Sequence, residues 1–225
     1  MLYSFEKNIT DLPETLPLFP LSKVLLLPRS KLPLNLFENR YLHMFDHALS
    51  HGRLIGMVQP TASNNLTKTQ SKNPDIYKIG CAGYITAFSE TNDNRYEIIL
   101  KGMCRFKVKK ELPNINGFRI ANIEWKKYQS DFLQGKFNSL DHRISFEDIL
   151  KKYLSKKSIN ADWEAIEASG DEELINSISM GCPFSVSEKQ ALLEAESLDK
   201  RMQVLISLMQ MSMNENKSLS SSSLS

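Results

Sequence analysis

The sequence predicts an α+β protein in which a curled antiparallel sheet or small β barrel with one helix precedes an all-α helical bundle that ends in a long helix. Two observations lead to this fold class. Short apolar runs separated by turn residues fill residues 1–128, which is typical of small barrels. Apolar residues recur at helical spacing over 143–213. A polar connector, 129–142, separates the two parts, and the Ser-rich stretch 214–225 is expected to be disordered because it has little core-forming power.

Seven or eight short strands and one helix account for the β-rich part. Prolines bracket the first strands, since edge positions need not donate to a ladder. The helix is capped by Asn39 and ends near Gly52, and Glu38 and Arg40 are expected to form an ion pair or a cap at the junction between strand and helix. The polar stretch 61–75 predicts a loop. The strands are predicted near Leu16–Leu18, Val24–Leu27, Leu32–Phe37, Leu54–Val58, Ala82–Phe88, Tyr96–Leu100, Cys104–Lys110 and Phe118–Tyr128.

Capping patterns locate the helices of the second part. Ser145 with Asp148 resembles a capping box, and Ser185 with Glu188 is an S-x-x-E box. The second box opens the longest predicted helix, roughly residues 187–213.

Composition sets broad limits on function. The 225 residues are 41% hydrophobic and 24% charged, with a formal net charge of +2, so the whole molecule is not an obvious polyanion binder. The charge is uneven: residues 1–128 carry +7 and the remainder −5, which suits mutual attraction or two different partners. There is no secretory signal and no apolar run near the ~18 residues of a membrane span. We therefore expect a cytoplasmic protein without membrane contact.

Known catalytic and metal-binding motifs are missing from the sequence. The phosphate-binding pattern G-x-x-x-x-G-K-[ST] and the G-x-S-x-G elbow do not occur. Three widely spaced cysteines form no C-x-x-C pair, so reduced, packed thiols are expected. His43, His47 and His51 share a helix face, but the string H-M-F-D-H lacks the glutamate of a zinc protease, so solvated or capping roles are favoured. No catalytic residue, cofactor or metal is predicted.

Several strings in order resemble the amino-terminal domain of Lon proteases: LPLFPL at 16–21, LPLNLFENRY at 32–41, IGMVQP at 55–60, YKIGCAGYI at 77–85, RYEIILKGMCRF at 95–106 and DEELINSISMGCPFSVSEKQALLEA at 171–195. The sequence is most similar to free-standing bacterial versions that lack the ATPase and peptidase domains. It departs from the family at Pro28-Arg29-Ser30, where a glycine is usual. The resemblance implies a PUA-like β domain and a helical bundle that recognise substrate proteins and hydrolyse nothing.

A polypeptide-binding surface is the preferred functional hypothesis. Met57, Gln59 and Pro60 end a predicted strand beside the 61–75 loop, where unpaired backbone groups can bind an extended peptide. Arg95 and Tyr96 of the following hairpin are expected close by. The partners are then substrate or client polypeptides and a protease, with the chain acting as an adaptor or chaperone-like factor and as a monomer or weak oligomer.

Two alternatives remain open. Strict alternation points Arg105, Lys107 and Lys109 to one side of their strand, and this basic face favours RNA binding, although no aromatic residues for base stacking are interleaved. The other alternative is a protease-associated protein that resembles a Lon-type peptidase but has no active site of its own.

Overall fold

The computed structural model describes residues 12–61, 74–93, 95–133 and 140–221. The chain forms two compact units. The β unit contains the described residues up to Leu133 together with Ser185–Leu193, and the helical unit contains the others. Residues 185–193 thus lie with the β-rich part, although they fall inside the predicted helical region. Within the described residues, no helix combines the length and the apolar character that crossing a membrane requires.

Six strands form one curled sheet. Their order is β2-β5-β4-β3-β1-β6, and β5 pairs with β6 as well, which closes the sheet on itself. All pairs are antiparallel except β1 with β3. The predicted curled antiparallel sheet is therefore confirmed, except that β1 and β3 pair in parallel. The strands are β1 (Thr15–Pro20), β2 (Lys31–Leu36), β3 (Leu54–Val58), β4 (Ile79–Glu90), β5 (Tyr96–Ile115) and β6 (Phe118–Glu124).

The long strand β5 replaces two predicted strands. It runs for 20 residues through Gly102 without a turn. Its first part pairs with β2 and β4, and its last part pairs with β6. Gly102 permits this path because a Cβ there would lie 2.0 Å from the carbonyl oxygen of Leu27. Strand β5 therefore pairs with both β2 and β6, the first and last strands in the order of the sheet.

The predicted strand Val24–Leu27 is wrong: this segment is buried but irregular. It leads into a turn in which Arg29 has φ 65°, the left-handed region that favours glycine. The Arg29 amide donates to the carbonyl of Gly102 at 2.8 Å, and its guanidinium donates to the carbonyl of Asp131. These bonds stabilise a left-handed residue that is not glycine.

One helix, α1 (Asn39–Ser50), belongs to the β-rich part as predicted. Asn39 is its first helical residue rather than its cap, and Glu38 precedes it. The predicted ion pair is confirmed, with 2.8 Å between Arg40 Nη2 and Glu38 Oε2. The helix ends before Gly52, which has φ 90°, as expected for the residue after a helix. Tyr41, Met44, Phe45 and Ala48 form its buried face.

The remaining helices are a 3₁₀ helix (Lys126–Phe132), α2 (Leu140–Lys156), α3 (Trp163–Ala168), α4 (Asp171–Gly181), α5 (Val186–Glu194) and α6 (Leu198–Ser221). Helix α2 begins five residues before Ser145, so that predicted cap is wrong. The capping box of α5 is confirmed, because the Glu188 amide donates to Ser185 Oγ at 3.3 Å and the Ser185 amide donates to Glu188 Oε2 at 2.7 Å.

The predicted continuous helix over 187–213 is wrong, since it divides into α5 and α6. Ser197 causes the division by starting a second helix: its hydroxyl accepts from the Lys200 amide at 3.2 Å. Helix α6 then continues to Ser221, where the sequence predicts a disordered tail from residue 214. Residues 222–225 of that tail lie outside the described residues.

Candidate functional site

The residues proposed to bind peptide are not at an exposed strand end. Strand β3 lies between β1 and β4, and Met57 and Gln59 are only 4% and 2% exposed. Gln59 Nε2 donates to the carbonyl of Val186 at 3.2 Å and to Gln190 Oε1 at 3.3 Å, so α5 covers this strand. Pro60 forms a bridge with Ile76. The expectation of an open edge here is wrong, and most of the adjoining loop, residues 62–73, lies outside the described residues.

Arg95 and Tyr96 lie elsewhere on the sheet. Met57 pairs with Cys81 of β4, whereas Tyr96 pairs with Glu90 at the other end of the same strand. Nine residues of strand correspond to about 30 Å along its path. The structure therefore separates the five predicted residues into two groups.

A shallow groove of about 520 Å³ crosses the sheet near Tyr96. Three adjacent strands, β2, β5 and β4, form it, and all of its residues belong to the β unit. Strand β2 pairs with β5 on one side and with no other strand in the described parts of the chain, so it is an edge. The groove residues are Pro33, Leu34, Asn35, Ala87, Phe88, Ser89, Glu97, Ile98 and Ile99.

Alternation along the strands decides which side chains face outward in the groove. Pro33 pairs with Ile99, and Ile99 pairs with Ala87, so these three lie in one row across the sheet. All three are exposed, and Ile99 is 38% exposed. Ile98, the next residue, is buried on the opposite face. The groove thus has an apolar row that faces solvent.

Charged rows lie on either side of the apolar row. Two residues along the strands, Asn35 pairs with Glu97; in the other direction, Lys31 pairs with Lys101. All four side chains are exposed. The outer face therefore changes from basic to apolar to acidic over about 13 Å, since two residues of strand span almost 7 Å.

The acidic end of the groove meets the hairpin between β4 and β5. Burial raises the pKa of Tyr96, and the carboxylates of Asp46 and Glu90 raise it further. The Arg95 guanidinium pairs with Asp93 at 2.8 Å and lies 5.7 Å from the ring centre of the exposed Phe37. Arg95 and Tyr96 are thus the two predicted peptide-binding residues that flank this groove.

Only two of the three residues predicted to form a basic face on β5 are exposed. Lys107 and Lys109 are exposed as predicted, but Arg105 is 3% exposed. Its guanidinium donates to both carboxylate oxygens of Asp131, with Nη2–Oδ1 at 2.7 Å and Nε–Oδ2 at 3.0 Å. Its Nη1 donates to the carbonyl of Leu193 at 3.0 Å. The expectation that Arg105 points to solvent is wrong, because the 3₁₀ helix and α5 cover this face of the strand.

The buried Arg105 side chain stays protonated because Asp131 lies beside it. Burial lowers the pKa of Arg105, but the hydrogen bonds and the negative charge of Asp131 outweigh it and the net pKa is raised. The preceding residue, Cys104, lies in the hydrophobic core, where burial and then the charge of Asp131 raise its pKa to about 12. Asp131 itself is assigned to the polar connector in the sequence, so pattern alone gives no signal of its buried role.

The histidines of α1 form a pair rather than a cluster. The rings of His47 and His51 stack with centroids 4.0 Å apart. Burial first, and then the second imidazole, lowers the pKa of His47. In the residues that the structure describes, no group of three or more histidine, cysteine or acidic side chains is arranged to hold a metal ion.

Comparison with known proteins confirms the resemblance found in the sequence. The Lon protease of Flavobacterium johnsoniae is 29% identical over 201 residues, which cover 87% of this chain and 24% of the protease. That of Dictyoglomus thermophilum is 27% identical over 199 residues, covering 86% and 24%. The chain therefore spans 24% of the length of these curated relatives.

Two solved structures share the fold. The Lon N-terminal domain protein from Xanthomonas campestris superimposes with a TM-score of 0.60 at 21% identity, covering 86% of this chain and 97% of that one. The N-terminal domain of the Mycobacterium avium complex Lon protease gives 0.61 at 12% identity, covering 87% and 98%. Residues 15–211 match the family described as the ATP-dependent protease La (LON) substrate-binding domain, and the chain belongs to that family.

Proposed function

We propose that the chain binds segments of polypeptide in the groove and performs no catalysis itself. The observation that carries this proposal is the solvent-facing apolar row around Ile99, next to the edge strand β2. An exposed apolar row in a surface groove is typical of interaction sites. Unfolded segments offer apolar side chains and unpaired backbone groups together, and an edge strand can bind both.

The family supports this assignment. Its description names substrate binding, and the similar sequences are Lon proteases. In our proposal the chain corresponds to the part of such a protease that recognises its substrates. It then acts as an adaptor or chaperone-like factor that holds clients for proteolysis carried out by other domains or proteins.

Ile99→Lys tests the groove directly. Fluorescence anisotropy with fluorescein-labelled, reduced and carboxymethylated lactalbumin, a permanently unfolded polypeptide, measures the affinity. We expect a loss of roughly tenfold, because partial burial of an Ile side chain contributes on the order of 1.4 kcal/mol. Ile115→Lys is the matched control: it lies on the same strand, is equally exposed at 38% and is outside the groove.

The RNA alternative is tested with the same variants. Lys107→Glu with Lys109→Glu reverses the charge of the two exposed residues of the predicted basic face without disturbing the buried Arg105. We expect unchanged polypeptide affinity. Unchanged binding in Ile99→Lys, together with tight and strongly salt-dependent RNA binding that is lost in the double variant, would replace our proposal with the RNA hypothesis.

The absence of catalysis is tested separately. Purified protein should hydrolyse neither ATP nor casein, because the sequence contains no phosphate-binding loop and matches the substrate-binding domain. Turnover that survives extensive purification and disappears when one serine or lysine is replaced would contradict this part of the proposal.

A further inference from the structure

Among the described residues no strand pairs with the outer edge of β2, whose outward backbone groups follow a defined pattern. The Gly102 amide donates to the carbonyl of Ser30 at 2.8 Å, at the start of the β2–β5 ladder. Hydrogen bonding alternates along an antiparallel strand, so Ser30, Leu32 and Leu34 bond to β5. The backbone groups of the residues between them then point away from the sheet.

The outward groups are those of Lys31, Pro33 and Asn35. Three carbonyls can accept hydrogen bonds from an added strand, but only Lys31 and Asn35 can donate, because proline has no N–H. The edge therefore lacks one hydrogen-bond donor, at Pro33. The missing donor weakens pairing between two identical edges, whereas a guest strand can still use the other groups.

The side chains of these same three residues begin the basic, apolar and acidic rows of the outer face. Lys31 lies beside Lys101 in the basic row, Pro33 beside Ile99 in the apolar row, and Asn35 beside Glu97 in the acidic row. A strand added at the edge would extend each row by one residue. A guest side chain opposite the short Pro33 ring can reach over it toward Ile99, about two strand spacings away.

We propose that β2 binds an extended peptide of the form basic-x-apolar-x-acidic as an added antiparallel strand. The inference rests on the proposed function and specifies its substrate class. For an antiparallel guest, the order of its residues follows from the order of the rows: the guest passes Asn35 and Glu97 first, then Pro33, and then Lys31. Antiparallel pairing is also the more stable arrangement per residue.

Charge order is tested with two peptides of identical composition. One contains Lys-Thr-Phe-Thr-Glu between Gly-Ser flanks, and the other contains Glu-Thr-Phe-Thr-Lys. Two-dimensional NMR titration of the full chain gives both dissociation constants. We expect the first peptide to bind about fivefold tighter, because two exposed charge pairs change from attractive to repulsive on reversal. Equal affinities, or tighter binding of the reversed peptide, overturn the inference.

Backbone pairing is tested by N-methylation of the first peptide. The amide of its Phe residue faces the carbonyl of Pro33, so N-methylation there should lower affinity at least tenfold. The amide of the following Thr faces solvent, and its N-methyl derivative is the matched control with unchanged affinity. Equal affinities of the two derivatives overturn strand addition.

Host variants test the same edge from the other side. Pro33→Val supplies the missing donor and keeps an apolar side chain, so affinity should rise roughly two- to tenfold. Asn35→Pro removes an outward donor and should lower affinity by a similar factor, and by more than Asn35→Ala does, because alanine keeps the backbone N–H. Unchanged binding in both Pro33→Val and Asn35→Pro overturns the inference.

The experiments distinguish a failure of strand addition at β2 from a failure of polypeptide binding in the groove. Should unfolded lactalbumin bind in an Ile99-dependent way while the peptides show none of these patterns, the groove keeps its function and strand addition is wrong. Should Ile99→Lys leave both ligands unaffected, the proposed function fails with it.

Discussion

The buried pair of Arg105 and Asp131 gives the sharpest prediction for stability. Arg105→Ala removes all the side-chain donors to Asp131, whose side chain is 6% exposed, and leaves its carboxylate buried with the Arg105 backbone amide as a hydrogen-bond partner. Removal of one partner from a buried ion pair costs about 3–5 kcal/mol. Since domains of this size unfold at about 5–15 kcal/mol, the β unit should lose a large part of its stability.

Urea unfolding followed by tryptophan fluorescence measures this effect. Trp125 belongs to the β unit, and a Trp163→Phe background leaves it as the reporter, because the sequence contains two tryptophans. With a slope of about 2 kcal/mol per molar urea, the midpoint should fall by about 2 M. Lys107→Ala, an exposed neighbour on the same strand, is the control and should change stability by less than about 0.5 kcal/mol.

A paired replacement distinguishes burial of an unpaired charge from a simple loss of packing. Arg105→Met with Asp131→Leu removes both charges and keeps apolar volume, so most of the lost stability should return. A loss below about 1 kcal/mol in Arg105→Ala, or no recovery in the double variant, would refute the reasoning. The same physics rules out Arg105→Glu as a test of nucleic-acid binding, since that variant should unfold.

Three further predictions concern local features. Gly102→Ala should lower stability by about 1–3 kcal/mol, because its Cβ would collide with the Leu27 carbonyl oxygen; a thermal melt like that of the wild type contradicts this. The Cys104 thiol should resist iodoacetamide at pH 8 in the folded protein and react in urea, because its pKa is raised to about 12; mass spectrometry after a timed quench shows whether it does. The lowered pKa of His47 means that its contribution to stability is present above pH 6.5 and is lost as the pH falls through the folded-state pKa; His47→Gln should flatten that part of the curve of unfolding free energy against pH, and an unchanged curve argues against it.

The local sequence pattern predicted helices and strands better than it predicted which other elements pack against them. The alternation of β5 gives the correct exposed positions for Lys107 and Lys109, but it cannot show that Asp131, 26 residues later, covers the same face at Arg105. Whether β3 is central or at an edge depends on strand order, which no local pattern reveals. The position of Ser197 as a second cap was also hidden, because the apolar periodicity continues across the break between α5 and α6.

The sequence contains a signal for the groove. Three consecutive apolar residues, Ile98, Ile99 and Leu100, occur in a strand that alternates, so one of them must face away from the core. A proline inside the preceding strand, Pro33, marks that strand as an edge. Together they indicate an exposed apolar residue near a free edge, although the pairing of the two strands comes only from the structure.

The β unit is discontinuous, and this has a consequence for synthesis on the ribosome. Its final segment, Ser185–Leu193, supplies the carbonyl that Arg105 Nη1 binds and the Gln190 side chain that Gln59 binds. Those groups emerge from the exit tunnel only after the whole stretch between residues 134 and 184. At typical translation rates of about 5–20 residues per second, the sheet waits several seconds with polar partners missing. A nascent chain paused near residue 180, with the whole sheet already outside the exit tunnel, should therefore be far more sensitive to protease within the sheet than the released chain.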